Sequence, residues 1–137
     1  ICDGASAVLI CNEDGLRKLG VCPRAKIIGL AVTGDDPVVM LRAPIPATTK
    51  VLGKVNMSLD DMDLYEVNEA FASVPLAWLK ALGANPNKLN VNGGSIALGH
   101  PLGATGTKLI TTLLNELEKQ NLRFGLQAIC ERGGTAN

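Results

Sequence analysis

The chain of 137 residues is poor in aromatic side chains and has no excess of either charge. Phe, Trp and Tyr together make up 3% of the residues, and 13 Lys and Arg side chains balance 13 Asp and Glu side chains. Proteins that bind nucleic acids usually carry a basic stripe or an aromatic platform for base stacking. The composition therefore argues against a nucleic-acid-binding protein.

Long apolar runs, paired cysteines and a second histidine are also missing. No apolar stretch approaches the roughly 18 residues that a membrane-spanning helix needs. The N-terminus lacks the basic segment and following apolar segment of a signal peptide. The four cysteines form no C-x-x-C pair, and His100 is the only histidine, so the usual zinc ligand sets are incomplete. We expect reduced thiols, no bound metal and no membrane span.

Apolar residues, in contrast, make up 47% of the chain, enough for a buried core in a single domain. Apolar runs predict strands at 5–11, 26–33, 63–67 and 124–130. Helical spacing and Gly stops predict helices at 14–19, 45–55, 68–83 and 104–118, with a bend or 3₁₀ turn at Pro75. Because strands and helices alternate, the predicted fold is an α/β domain with a mixed sheet layered with helices.

Three polar residues stand where predicted strands or helices meet turns: Asn68 in VNEAFA, His100 in ALGHPLGATG and Cys130 in ICERGG. Strand ends border the ligand crevice in open α/β sheets, so the three residues could converge at one sheet edge. An imidazole exchanges protons near neutral pH, a thiol acts as acid or nucleophile, and an amide holds a carbonyl oxygen or a water. Each residue also has a structural interpretation, as a turn residue, core filler or helix N-cap. Together they favour acyl transfer on a thioester.

The same blocks carry a family resemblance. VNEAFA, NGGSIALGHPLGATG and the turn that begins at Cys130 resemble the signature blocks in the C-terminal half of the thiolases, which are acetyl-CoA acetyltransferases and 3-ketoacyl-CoA thiolases. The resemblance extends over essentially the whole chain. It implies a thiolase-type C-terminal domain at 1–137, without the family's N-terminal domain and without the final strand after Asn137. It also implies that the nucleophilic cysteine belongs to that N-terminal domain, so that this chain alone would be inactive.

Roles for individual residues follow from the resemblance. In thiolases the histidine of GHP, here His100, activates the nucleophile and helps to form an oxyanion hole. The asparagine of NEAF, here Asn68, orients a water in that hole. The C-terminal cysteine, here Cys130, moves protons to and from the CoA thiol or the substrate α-carbon. Substrate-binding positions implied in the same way are Met40, Ala70, Phe71, Gly99, Arg132 and Gly133.

Two segments depart from the family pattern. Thiolases usually have C-x-G-G-G at the cysteine turn, whereas this chain has Arg132 at the third position, whose backbone amide commonly serves a second oxyanion hole. The MLRAP segment, 40–44, lacks the glycines often found there. Both departures predict an altered geometry around the thioester and the acyl group.

The implied reaction is CoA-dependent thiolysis of a 3-ketoacyl-CoA, or the reverse Claisen condensation of acetyl-CoA, in fatty acid and lipid metabolism. Coenzyme A and acyl-CoA are the substrates, and no permanently bound cofactor is expected. The resemblance also implies a homodimer or homotetramer. The expected location is cytoplasmic, with mitochondria and peroxisomes as alternatives because any targeting peptide would precede Ile1.

Two other functions stay open. One is a decarboxylating condensing enzyme of the same fold, although such sites favour a second His or an Asn where Cys130 stands. The other is a non-catalytic CoA-binding or lipid-binding protein that has kept the fold.

Overall fold

A computed structural model describes all of residues 1–137. The helices are α1 (Glu13–Leu19), α2 (Pro44–Val55), α3 (Ser73–Leu82), α4 (Ser95–Leu98) and α5 (Thr105–Lys119). The strands are β1 (Thr33–Gly34), β2 (Leu64–Val67), β3 (Gly125–Ala128) and β4 (Thr135–Ala136), and 3₁₀ turns lie at Leu59–Asp61 and Pro86–Lys88. None of the helices is long and apolar enough to cross a membrane.

The strands form two small sheets. β2 and β3 run parallel, with Leu64 opposite Gly125 and Val67 opposite Ala128. The chain between them contains α3, α4 and α5, which supply the crossover that a parallel pair requires. β1 and β4 form an antiparallel pair of two residues each. The predicted α/β fold with helices is therefore confirmed, although the parallel and antiparallel pairs lie in two separate small sheets rather than in one mixed sheet.

The β2–β3 pair is covered on both faces, which explains why every residue of β2 is buried. On one face, Tyr65 and Leu126 join a core with Trp78 of α3 and Leu52 of α2. The indole Nε1 of Trp78 donates to Thr48 Oγ1 at 2.9 Å, so the buried polar atom of the ring has a partner. The helix α5 packs against both strands of the pair. The side chains of β2 that alternate with the core residues point towards this second layer.

Two predicted strands, at 5–11 and 26–33, are wrong. The structure contains no strand at 5–11, and only the two-residue β1 begins at the end of the second segment. The backbone at 26–32 has no ladder partner. Instead, the Lys54 amine donates to the Leu30 carbonyl at 2.9 Å and the Lys50 amine to the Val32 carbonyl at 2.7 Å. Apolar runs indicate burial, but a strand forms only where a second strand pairs with it.

The helix predicted from Asn68 is also wrong at its start, because α3 begins at Ser73. Pro75 is the third residue of α3, within the first turn, where a backbone N–H has no intrahelical partner in any case. The predicted 3₁₀ turn at Pro75 is absent for that reason. The stops are confirmed: Gly20 and Gly83 cap α1 and α3 in the left-handed conformation, with φ of 64° and 63°.

Candidate active site

Two of the three polar residues follow the carboxyl ends of neighbouring parallel strands. Asn68 directly follows β2, and its backbone N–H donates to the Ala128 carbonyl at 3.0 Å, which extends the ladder by one bond. Cys130 lies two residues beyond the end of β3. Because the strands are parallel and in register, both residues stand at the same edge of the sheet. This edge is where ligands bind in open α/β sheets.

Asn68 is only 1% exposed, and its side chain is oriented by one strong bond. The Ser95 hydroxyl donates to Asn68 Oδ1 at 2.7 Å. The predicted N-cap role is wrong, because the N-cap of α3 is Ala72. The Nδ2 atom of Asn68 has no partner within the protein. A buried donor without a partner costs about 1–3 kcal/mol, so this arrangement suits a side chain that donates to a ligand oxygen.

The backbone before Asn68 is held by a second asparagine. The Asn90 side chain accepts from the Val67 N–H and donates to the Val67 carbonyl, both at 2.9 Å, in the manner of an added strand. Its Nδ2 also donates to Glu69 Oε1 at 2.9 Å, and Glu69 Oε2 accepts from the Ile96 N–H at 3.0 Å. A Cβ at Gly94 would collide with the Glu69 carboxylate, so a side chain there would displace Glu69 from these hydrogen bonds. These contacts tie the end of β2 to the start of α4.

His100 lies in the loop between α4 and α5 rather than at a strand end. Gly99 before it has φ of 92°, a conformation open mainly to glycine. The Thr105 hydroxyl donates to the Pro101 carbonyl at 2.9 Å, so its oxygen accepts from Nδ1–H of His100 at 2.7 Å. This tautomer leaves a lone pair on Nε2. Burial lowers the pKa of His100, and the positive charge of Lys108 lowers it further. The ring is therefore neutral near pH 7 and able to accept a proton.

Cys130 is a buried thiol. Burial raises the pKa of Cys130, and the neighbouring Glu131 carboxylate adds to the effect. The thiol thus keeps its proton near neutral pH and suits the role of an acid better than that of a resident nucleophile. No group of three or more His, Cys, Asp and Glu side chains is placed to hold a metal ion.

The turn after Cys130 accommodates its arginine. Gly133 and Gly134 both have φ of 82°, whereas Arg132 is exposed and outside the left-handed region. A Cβ on Gly134 would lie 2.9 Å from the Asp35 carbonyl oxygen, so glycine is required there by close backbone approach. The family's third-position glycine is therefore not needed for the turn to form.

The other predicted substrate-binding residues are dispersed around this edge. Ala70 packs against the core, and Phe71 is 63% exposed. Met40 and Leu41, before α2, both have positive φ, of 52° and 56°. This is the segment that lacks the family's glycines, and two side chains in the left-handed region store strain there.

A chain of contacts connects the three polar residues, although no hydrogen bond joins them directly. Asn68 bonds to Ser95 at the start of α4, and α4 leads to His100, which bonds to Thr105 at the start of α5. Gly106, which follows Thr105, lies beside Ile129: a Cβ placed on Gly106 would be 3.3 Å from Ile129 Cδ1. Ile129 directly precedes Cys130, which completes the chain of contacts.

A comparison with known protein families matches residues 21–137 to the C-terminal domain of thiolases. The chain belongs to the thiolase family. A steroid 3-ketoacyl-CoA thiolase of Mycobacterium tuberculosis is 56% identical over 137 residues, which are 100% of this chain and 34% of that protein. The thiolase domain thus spans about a third of the length of the curated relatives that it matches.

Solved structures agree with this assignment. The crystal structure of human mitochondrial 3-ketoacyl-CoA thiolase is 44% identical, with a TM-score of 0.87 over 90% of this chain and 31% of that chain. A crystal structure of that human enzyme in complex with CoA has the same TM-score of 0.87, over 90% of this chain and 32% of that chain. The expected thiolase C-terminal fold is confirmed.

Sequence reasoning missed the residues that hold the site in place. Ser95, Thr105 and Asn90 orient Asn68, His100 and β2, and the Lys108 amine donates to the Gly99 carbonyl at 2.6 Å. Ser95, Thr105 and Asn90 lie within the glycine-rich block from Asn90 to Gly106, and Lys108 follows it by two residues. Their hydroxyl, amide and amine side chains stand out in and beside a block of otherwise small and apolar residues, and this contrast could have indicated a role in positioning the site.

Replacing Ser95 with alanine should destabilise the protein. The substitution leaves Asn68 Oδ1 buried without its donor, which costs about 1–3 kcal/mol in the free energy of unfolding. Denaturant unfolding of the two forms measures the difference. Ser73→Ala, on an exposed serine at the start of α3, is the matched control and should leave stability nearly unchanged. Equal stability of Ser95→Ala and wild type would show that the Ser95–Asn68 bond does not form.

Proposed function

We propose that this thiolase domain supplies Asn68, His100 and Cys130 to the active site of an enzyme that catalyses CoA-dependent thiolysis of a 3-ketoacyl-CoA, or the reverse condensation of acetyl-CoA. The observation that carries the proposal is the buried amide of Asn68, which is oriented by Ser95 and has a free Nδ2 donor. The relatives are 3-ketoacyl-CoA thiolases, which supports the reaction class, and a CoA complex of the human mitochondrial enzyme supports CoA as a substrate.

His100 acts first in the proposed reaction. Its Nε2 lone pair takes the proton of a nucleophilic cysteine, and the resulting thiolate attacks the 3-keto carbonyl. The imidazolium, now carrying a proton on Nε2, then faces the developing oxyanion, together with the Asn68 amide and a water held by it. Thr105 keeps the ring in this orientation throughout. Donors placed in advance at a developing oxyanion are each worth roughly 3–4 kcal/mol of transition-state stabilisation.

Cys130 transfers a proton to the α-carbon of the acetyl-CoA enolate. Breakage of the bond between the α-carbon and the keto carbon leaves the enolate of acetyl-CoA, which takes the proton of the Cys130 thiol. The Cys130 thiolate then accepts the proton of an incoming CoA thiol, and the CoA thiolate attacks the acyl-enzyme. This attack expels the nucleophilic cysteine as a thiolate, which takes its proton back from the His100 imidazolium. The products are acetyl-CoA and a shortened acyl-CoA, and His100 and both cysteines return to their starting state. The raised pKa of Cys130 suits a group that must begin as an acid.

The remaining predicted residues are proposed to contact the substrate. Phe71, exposed on the surface beside Asn68, and Ala70 would line the pantetheine channel. Met40 would border the acyl group. The backbone amides of the turn at Arg132 and Gly133 would form a second oxyanion hole, and Gly99 would let the substrate approach the loop of His100.

The proposal also extends to the protein that contains this domain. The curated relatives are about three times as long as the match, so we propose residues 1–137 as the C-terminal thiolase domain of a longer chain. The nucleophilic cysteine would come from its N-terminal half. A homodimer or homotetramer in the cytoplasm is the corresponding assembly and location.

The test is an assay of the full-length protein with acetoacetyl-CoA and CoA. We expect formation of acetyl-CoA at an ordinary enzymatic rate, on the order of 1–1000 turnovers per second. A parallel assay with malonyl-CoA should give no decarboxylative condensation. Condensation of malonyl-CoA without thiolysis would assign the protein to the decarboxylating enzymes, and binding of CoA without turnover would make it a carrier.

A further inference from the structure

A buried carboxyl group that the proposed mechanism does not use lies within the sheet of the site. Glu66 of β2 is directly opposite Gln127 of β3 in the parallel register. Glu66 is 2% exposed and shares a face of β2 with Asn68, two residues further on. Glu66 Oε2 and Gln127 Oε1 are both buried and have no hydrogen-bond partner. The parallel register thus places the two residues opposite each other on neighbouring strands, with their side chains on the same face of the sheet.

No neighbouring cation is committed to Glu66. The positive charge of Lys108, on α5, acts to lower the pKa of Glu66, but its amine donates a hydrogen bond to the Gly99 carbonyl and not to Glu66. Glu69, which follows β2, is engaged by Asn90 and by the backbone of α4. Glu116 of α5 accepts from Asn92 and Gln120. An ionised Glu66 would therefore be a buried charge next to an acceptor oxygen, which is strongly unfavourable.

One proton resolves this conflict. A protonated carboxyl group carries an O–H donor, and Gln127 Oε1 can accept from it. Both orphan oxygens then have partners, and no buried charge remains. Burial raises the pKa of Glu66 to about 7, with a further contribution from the Glu69 carboxylate, and this agrees with the geometry.

We propose that Glu66 is a neutral carboxylic acid that donates a hydrogen bond to Gln127 Oε1, and that this pair is a positioning element for Asn68. The second part rests on the proposed function. The pair adds a side-chain bond to the ladder at the strand end that carries Asn68. An ionised Glu66 on the same face would compete for the free Nδ2 of Asn68 and draw that donor away from the substrate oxygen.

Carbon NMR of the full-length protein with glutamate labelled at its side-chain carboxyl tests the first part. We expect one glutamate to titrate with a midpoint near pH 7, and this titration to be lost in Glu66→Gln. Glu13→Gln, on an exposed glutamate of α1, is the matched control and should retain it. A Glu66 signal that titrates in the ordinary range of glutamates, near pH 4.3, would overturn the proposal.

The Gln127→Met variant shows whether Glu66 donates to Gln127 as a neutral acid or accepts from it as a carboxylate. If Glu66 donates to Gln127, removing the acceptor destabilises the neutral acid and lowers the midpoint. If instead the Gln127 amide were flipped so that Nε2 donated to an ionised Glu66 carboxylate, the same substitution would raise the titration midpoint of Glu66. A downward shift supports the neutral pair, and an upward shift refutes it.

Kinetics test the second part. The ratio of kcat/KM at pH 8 to that at pH 6 should increase by up to about tenfold in Glu66→Gln, because one pH unit above its pKa the wild-type group is about nine-tenths ionised. An unchanged ratio would contradict the positioning role while leaving the proton assignment to the NMR result. Absence of thiolysis in the wild type would contradict the proposed function, and the NMR titration would still decide the state of Glu66.

Discussion

Replacement of His100 by alanine is expected to lower kcat for thiolysis by at least about a hundredfold. The variant loses the general base, and removal of one general acid–base group costs roughly 10²–10⁴ in rate. It also loses one donor to the oxyanion, which alone costs about 10²–10³. These losses do not add fully, because the same ring serves both steps. Steady-state kinetics with acetoacetyl-CoA measure the effect.

The structure supplies a control for this variant on α5, the helix that follows the loop of His100. Lys119→Ala changes an exposed side chain at the far end of α5, remote from the loop of His100, and should retain the wild-type rate. The stability of His100→Ala should be close to that of wild type, since the ring makes a single hydrogen bond, to Thr105. Near-normal activity in a folded His100→Ala protein would exclude His100 as the base.

Replacement of Cys130 by alanine is expected to reduce thiolysis by roughly 10²–10⁴-fold, for a different reason. The acyl-enzyme can still form, because His100 and the nucleophile are intact, but no acid remains to protonate the enolate. With acetyl-CoA in deuterated water, the variant should become acetylated and yet fail to exchange the α-hydrogens of the acetyl group. Mass spectrometry of protein and product distinguishes the two steps.

Cys130→Ser provides the second arm of this test. The hydroxyl has nearly the same shape but is a far weaker acid than a thiol, so the loss of exchange should persist with little change in packing. The thiol is buried in the core cluster around Trp78, so thermal unfolding of both variants shows whether the fold is retained. Normal α-hydrogen exchange in a folded variant would remove Cys130 from the mechanism.

Much of the site could be predicted from sequence because its residues lie in short blocks with local rules. Gly99 before His100 and Gly133 and Gly134 after Cys130 have positive φ, and Gly134 is also required by close backbone approach. The helices α2 and α5 follow from apolar spacing alone, and both were predicted within one residue of their bounds at each end. Local sequence determines such features.

The rest depends on partners that are distant in the sequence. The N-cap interpretation of Asn68 failed because Ser95, 27 residues away, binds its side chain instead. The strand predicted at 5–11 failed because no other strand pairs with it. The opposition of Glu66 and Gln127 follows from strand register, which neither residue's neighbours reveal. Pairing of this kind can be read only from the fold.

The central claim is that Asn68 and His100 face the same thioester. A crystal structure of the full-length protein with acetyl-CoA tests this most directly. The account predicts that Nε2 of His100 and Nδ2 of Asn68, the latter directly or through one water, lie within hydrogen-bond distance of the thioester carbonyl oxygen, with Cys130 Sγ beside the acetyl methyl carbon. A thioester bound away from the edge that carries Asn68 and Cys130, or His100 turned so that Nε2 points away from it, would contradict the account.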